Sequence, residues 1–296
     1  MMADSLVAFG LVTVDHQLLV DQVPGPNQKV VAQRSDLEFG GPATNAAATA
    51  QVLGTPTRLV TATGCGPLTT FAAAQLGALG VDVVDLLADQ AGNPPVSTVL
   101  VTQATGDRAV VSANAVGVQD DLPLTGYELD GASVLLVDGH HMDTAVRLAA
   151  EARSRGITVL FDGGSWKDGT ADLLAHVDVA VVSQDFTAPA AGEVLDYLAA
   201  QGCWAAAQSA GPEPIRVLLN GVHHTVPVPA PTQLVDTLGA GDVLHGTLAH
   251  GLARDPSPGA FLANLRYAAT VATASCAYSG AHGWFSHVGE RRRRAG

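Results

Sequence analysis

The run Asp236-Thr237-Leu238-Gly239-Ala240-Gly241-Asp242 carries the residue types that handle phosphate. Gly239 and Gly241 bring no Cβ to crowd an anion, and residues 243–252 follow with helical spacing and no proline, so the glycines stand where a loop enters a helix. At such a point the unpaired N–H groups of the first turn and the positive end of the helix dipole favour a polyphosphate. Asp242 at the helix start is then a carboxylate close to the transferring group, able to take a proton from an acceptor hydroxyl. A plainer reading stays open, in which Asp242 caps the helix and the glycines make a tight turn. No Gly-x-x-x-x-Gly-Lys-Ser/Thr element is present, and Gly-Ala-Gly-Asp lacks the third glycine of a dinucleotide fingerprint.

Such a loop needs a rigid frame, and the rest of the chain supplies one. Short apolar runs at 6–12, 57–61, 134–137, 158–161 and 179–182 are bounded by Gly, Asp or Ser, as buried parallel strands are. Stretches 43–53, 68–79, 144–155 and 193–200 between them carry apolar residues at three-to-four spacing. The alternation predicts an α/β fold with a doubly wound, mainly parallel sheet. Segments 16–34 and 96–112 interrupt it, the second reading as a hairpin around Ala104-Thr105-Gly106-Asp107, and together they suggest a small separate sheet. Asn220-Gly221, flanked by 216–219 and 223–226, is the strongest hairpin signal in the chain.

With 296 residues, 47% of them hydrophobic and 32 of them glycine, one large core is expected, hence a single domain over 1–296. The net charge of -13, with Lys29 and Lys167 the only lysines, argues against a nucleic-acid partner. No apolar run is long enough to span a membrane. Cys65, Cys203 and Cys276 are odd in number and far apart, which fits a reducing cytoplasm. The basic run 291–294 lies in a stretch, 290–296, read as a frayed tail.

The run from Asp236 to Asp242 resembles the C-terminal signature of the ribokinase-like, or PfkB, carbohydrate kinases. Gly40-Gly41-Pro42-Ala43-Thr44-Asn45 is similar to that family's N-terminal glycine-pair signature, and Gly10-Leu11-Val12-Thr13-Val14-Asp15 resembles its first strand and substrate aspartate. The resemblance covers nearly the whole chain and is nearest to the branch containing ketohexokinase and sulfofructose kinase. It implies Asp242 as general base, Gly239, Ala240 and Gly241 as anion hole, and Thr237 with them on the nucleotide side. It further implies that Asp15, Gly40, Gly41 and Asn45 face a sugar-like small molecule under a lid built from 16–34 and 96–112. ATP, Mg2+, activation by K+ and a homodimer formed through the lid come with the same resemblance. Chemistry makes these roles reasonable, since Asp and Asn can orient vicinal hydroxyls while a glycine pair lets backbone approach a ring. Taken one at a time, Asp15 could instead end a strand and Asn45 could cap a helix.

The chain departs from the family pattern in two places. Where an Asn-x-x-Glu element is common, Ser183-Gln184-Asp185-Phe186 stands, leaving Ser183 for the nucleotide side and Asp185 as a candidate for organising metal. In the nucleotide strand and turn, 205–211, only the later glycine, Gly211, is kept. Asp138-Gly139-His140-His141 and Asp162-Gly163-Gly164 fall at strand ends, where α/β folds bind ligands. Adjacent histidines on a strand point to opposite faces, which argues against a metal pair and leaves His140 as a candidate sugar contact. Lys29, in the expected lid, could pair with an acidic substituent. A nucleoside kinase and a non-catalytic sugar-binding regulator remain as alternatives, the first disfavoured because Phe39 is the nearest aromatic to the glycine pair.

Overall fold

The structure, a computed structural model, describes residues 4–105, 107–113, 119–189 and 192–288; the expected tail at 290–296 lies outside these. In chain order the first half comprises β1 (Leu6–Phe9), β2 (Thr13–Val20), β3 (Arg34–Gly40), α1 (Pro42–Leu53), β4 (Thr57–Thr61), α2 (Pro67–Leu79), β5 (Asp82–Asp85), β6 (Val96–Thr102) and β7 (Arg108–Ser112). Then come β8 (Val134–Val137), α3 (Met142–Ser154), β9 (Thr158–Gly163), α4 (Thr170–Leu174), β10 (Val179–Ser183), α5 (Val194–Ala200), β11 (Ala205–Ala210), β12 (Glu213–Leu219), β13 (Val222–Val226), α6 (Ala240–Arg254) and α7 (Pro258–Ser275).

Nine strands form one sheet in the order β13-β12-β11-β10-β9-β8-β1-β4-β5, parallel except for β12 and β13. Alternate residues of each strand enter different cores. Leu6 and Ala8 pack beneath α1, α6 and α7, while Val7 and Phe9 pack on the other face with α3 and α5. The doubly wound, mainly parallel architecture read from the alternation of elements is the one observed. The Asn220-Gly221 hairpin joins β12 to β13 with both residues at positive φ, 47° and 79°, as a tight two-residue turn requires.

A second sheet, in the order β3-β2-β6-β7, stands apart from the first. Strands β6 and β7 fall within 96–112, but the partner strands lie at 13–20 and 34–40, so most of 16–34 is the connection between them. The run 6–12 accordingly divides. It leaves the main sheet after Phe9 because the Asp138 carboxylate takes the Leu11 N–H at 3.0 Å, and Asp15 belongs to the second sheet rather than to the first strand. His140 and His141 are not on a strand either: they occupy the turn after β8, with His141 left-handed (φ 52°) ahead of α3. Strand β5 and helices α4 and α7 had no counterpart in the sequence pattern.

Candidate active site

The C-terminal ends of β1 and β8, neighbours in the main sheet, meet at Asp138. Its Oδ2 accepts the N–H groups of Leu11 and Ala43 at 3.0 and 3.1 Å, and its Oδ1 accepts the His140 N–H at 3.0 Å with His140 Nδ1 3.1 Å away. One carboxylate therefore pins the exit of β1, the start of α1 and the turn after β8. A Cβ on Gly10 would overlap that carboxylate. Burial alone would raise the Asp138 carboxyl, but His140, the Leu11 N–H and Lys167 outweigh it and hold the group well below the usual carboxylate range. His140, named from sequence as a sugar contact, is buried against this anchor.

The pinned backbone carries the glycine pair. Gly41 has φ 104°, a conformation L side chains avoid, and a Cβ there would run into the Leu11 carbonyl. At Gly40 a Cβ would overlap the Asp15 carboxylate across the β2–β3 pair. Helix α1 then starts at Pro42, and Asn45 lies one turn in. Its neighbours Ala43, Ala46, Ala47 and Ala50 are fully buried small residues, and Gly246 of α6 crosses them so closely that a Cβ would strike the Ala46 carbonyl. That close crossing brings Asn45 Nδ2 to 2.7 Å from Asp242 Oδ2.

Asp242 is in the first turn of α6, after Gly239 in the left-handed region. Burial first, then the charge of Asp162, with Asp138 and Asp15 adding to it, raise the Asp242 carboxyl well above its ordinary value against the Asn45 hydrogen bond. Asp162, at the end of β9 and 3.4 Å from His245 Nδ1, is raised chiefly by burial. Within the glycine loop the Ala240 N–H is bonded to the Thr237 carbonyl at 3.2 Å and the Val243 N–H to the Gly239 carbonyl at 2.8 Å. The N–H groups of Gly241 and Asp242 enter none of the described turn or cap hydrogen bonds, and a Cβ on Gly241 would meet open space. That room at a helix N-terminus, with donors facing it, fits the phosphates of a nucleotide.

Asp15 and Glu38 are register partners on β2 and β3. Thr13 donates to Asp15 at 2.8 Å, yet burial raises the Asp15 carboxyl, whereas the His282 ring, 3.2 Å from Glu38 Oε2, lowers that of Glu38. His282 Nε2 lies 2.9 Å from Asn45 Oδ1, and Phe39 stacks on the same ring at a centroid distance of 4.0 Å. From the far edge of the second sheet Arg108 bonds Thr237 and lies 3.6 Å from Asp236, whose Oδ2 accepts the Gly280 N–H.

The remaining candidates are more scattered. Lys29 is exposed on the connection between β2 and β3. Ser183 bonds the Gly164 carbonyl at 2.8 Å, and the exposed Asp185 donates its N–H to Ser183 Oγ. Gly211 (φ 59°) makes the exposed turn between β11 and β12. Among the described residues, no group of three or more His, Cys, Asp or Glu is placed to hold a metal ion. Glu38, His282 and Arg108 were not singled out from the sequence; none lies in a motif, and only the pairing of β2 with β3 and of β6 with β7 reveals two of them.

A family model described as pfkB family carbohydrate kinase matches residues 3–284. The chain belongs to that family. PfkB members are phosphotransferases acting on an alcohol group, so this chain is a sugar or nucleoside kinase in the broad sense, of a kind that uses ATP with a divalent metal. Solved structures similar in fold include a protein of Agrobacterium tumefaciens proposed to be a ribokinase (TM-score 0.82, 22% identity, 99% of this chain and 98% of that one). Another is the ribokinase of Thermotoga maritima (TM-score 0.79, 16% identity, 98% and 99%). A third is the ribokinase of Arabidopsis thaliana complexed with ribose and ATP (TM-score 0.74, 19% identity, 94% of each). No helix among the described residues of this PfkB chain is long and apolar enough to cross a membrane.

Proposed function

We propose that this PfkB protein transfers the γ-phosphoryl group of ATP to a hydroxyl of a carbohydrate, a ketose or related sugar, with Asp242 as general base. The observation that carries this reading is the Asp242 carboxylate, held by Asn45 at 2.7 Å, beside the N–H groups of Gly241 and Asp242 at the start of α6, which enter none of the described turn or cap hydrogen bonds. One Asp242 oxygen is taken by Asn45, which leaves the other for the acceptor O–H. Asp242 takes that proton, the alcohol oxygen bonds the γ-phosphorus, and the bond to the β–γ bridging oxygen breaks to release ADP. Gly239 and Gly241, with the Asp242 N–H, form the anion hole beside Thr237; Ala240, placed there from sequence, turns its N–H to the Thr237 carbonyl instead. Magnesium, when bound with the nucleotide, neutralises phosphate charge.

Asp15, Gly40, Gly41 and Asn45 face the acceptor in this reading, and the second sheet is the lid over it. The four carboxylates of Asp15, Glu38, Asp162 and Asp242 near the site, with Lys29 exposed, favour a neutral sugar over an anionic one. A nucleoside is disfavoured because Phe39 is 4% exposed and its face is occupied by His282, leaving it no ring to offer a purine. The exposed Val110 and Val111 on β7, at the free edge of the lid, suit pairing with a second copy of the chain. A cytoplasmic setting, K+ activation and nearness to the ketohexokinase branch belong to the same reading. The test is ADP release from MgATP with D-fructose, other ketoses, aldoses, nucleosides and sulfo-sugars. A sugar is expected to give the highest rate; nucleosides outperforming every sugar, or no acceptor exceeding the rate without one, would reject it.

A further inference from the structure

An unbroken line of polar contacts runs from the second sheet to the base. Glu38 on β3 meets His282 Nδ1 at 3.2 Å, His282 Nε2 meets Asn45 Oδ1 at 2.9 Å, and Asn45 Nδ2 meets Asp242 Oδ2 at 2.7 Å. The last link fixes the order of the rest. An Asn amide between a carboxylate and an imidazole avoids oxygen on oxygen in one orientation only, with its NH2 toward Asp242. Its oxygen then faces the ring, so Nε2 must be the donor. On the other side Nδ1 lies 3.2 Å from Glu38 Oε2, a close approach without hydrogen-bond geometry, so the Nε2 bond to Asn45 is the one that orients the ring.

The ring is held where this matters. Its side chain is 12% exposed, Phe39 stacks on one face, and Phe285 lies 5.2 Å from its centroid. Asp15, opposite Glu38 in the β2–β3 register, adds a second negative charge within reach, while Arg34, on the same strand as Glu38, acts on the Glu38 carboxylate from the solvent side. Two carboxylates directly opposed on one sheet face destabilise each other, so this pair needs the ring and Arg34 beside it. Residue 282 follows Gly280, whose N–H is bound by Asp236 of the glycine-loop segment.

We propose that His282, donating through Nε2, is a positioning residue that locks the Asn45 amide onto Asp242 and, through its stacking on Phe39, ties the aim of the base to the docking of β3. The inference rests on Asp242 being the base. Loss of this donor lets the amide of Asn45 turn, and the Asp242 carboxylate loses its fixed direction. Misplacing a reacting group by about 1 Å costs on the order of 100-fold in rate. His282→Ala is therefore expected to lower kcat by about 10- to 100-fold with little change in the KM for ATP. His282→Gln can still donate to Asn45 and should recover most of kcat.

The experiment is ADP release from MgATP by the full chain and by His282→Gln, His282→Ala and His282→Leu, with D-fructose and, in parallel, with no sugar so that water is the acceptor. Thermal unfolding of each variant identifies any that fail to fold, and His282→Gln against His282→Leu carries the test if His282→Ala does. A His282→Gln kcat no higher than that of the variants without a donor overturns the proposal, as does a His282→Ala kcat equal to the wild type or a loss that falls on KM for ATP instead of kcat. Absence of ADP from every protein under both conditions removes the base and the relay together, an outcome distinct from unchanged rates.

Discussion

Replacing Asp138 by Asn keeps the volume and removes one acceptor oxygen. Three backbone donors and one ring nitrogen converge on this carboxylate: Leu11 and Ala43 on Oδ2, the His140 N–H on Oδ1, and His140 Nδ1 beside it. An amide that keeps its oxygen toward Leu11 and Ala43 turns an NH2 toward His140. One buried N–H is then stranded, at a cost of about 1–3 kcal/mol, and the two surviving bonds lose their charge assistance, about 0.5–1 kcal/mol each. Relief of repulsion with Asp162 and Asp242 returns part of this. The expected net loss is about 2–4 kcal/mol, read as a fall of about 1 M in the urea midpoint at unchanged m-value. The pH dependence has a definite sign. The Asp138 carboxyl lies well below the usual range when folded, so its contribution is complete above the ordinary carboxylate pKa and is lost only as pH falls through the folded value. The gap between wild type and Asp138→Asn should thus be the same at about pH 6 and about pH 8 and shrink in acid. A loss under about 0.5 kcal/mol, or a gap that widens in acid, would refute the account of Asp138 as the anchor of the site.

Asp242→Asn should lower kcat by about 10²–10⁴-fold with little change in ATP affinity. Because burial and neighbouring acids raise the Asp242 carboxyl, wild-type kcat should fall on the acid side at a pH above the ordinary carboxylate range, and pH–rate profiles should show that limb missing from the variant. Gly241→Val fills the cradle without touching protein, so the KM for ATP should rise by about tenfold or more while the melting temperature stays within about 2 °C. Gly246→Val forces α1 and α6 apart and draws Asn45 off Asp242; unfolding curves should show a loss of about 1–3 kcal/mol, and kinetics a kcat lowered more than KM.

The parts of this molecule that obey strong local rules could be read directly from sequence. Strand runs such as 57–61 and 134–137 are apolar because both faces are covered, and they are observed at those bounds. The glycine loop could be placed because its meaning depends on the helix that follows. The break in the run 6–12 and the place of Asp15 on the second sheet could not be read, because nothing near Gly10 reveals that Asp138, far along the chain, captures the Leu11 N–H. Helix α7 was passed over since, beyond Phe261 and Leu265, the residues it buries are small, Ala268, Ala269, Ala272 and Ser275, and give no sustained run of large apolar side chains at helical spacing. His282 could not be found at all: a lone histidine between glycines carries no pattern, and its place beside Asn45 exists only after folding.

In the main sheet β1 lies between β4 and β8, so the chain starts inside the sheet, grows two strands to the near edge, and returns to grow toward the far one. Asp15, Glu38 and Asn45 come from the first wing, and the glycine loop with Asp242 from the second. The two reactants in the proposed transfer are thus encoded by separate stretches of the gene, divided between β7 and β8. Mutation in the first stretch can retune which alcohol is taken while the phosphate apparatus is inherited intact. The stitches across the seam, among them Asp138, Arg108 and the contacts of Asn45 and His282, bind the two histories together.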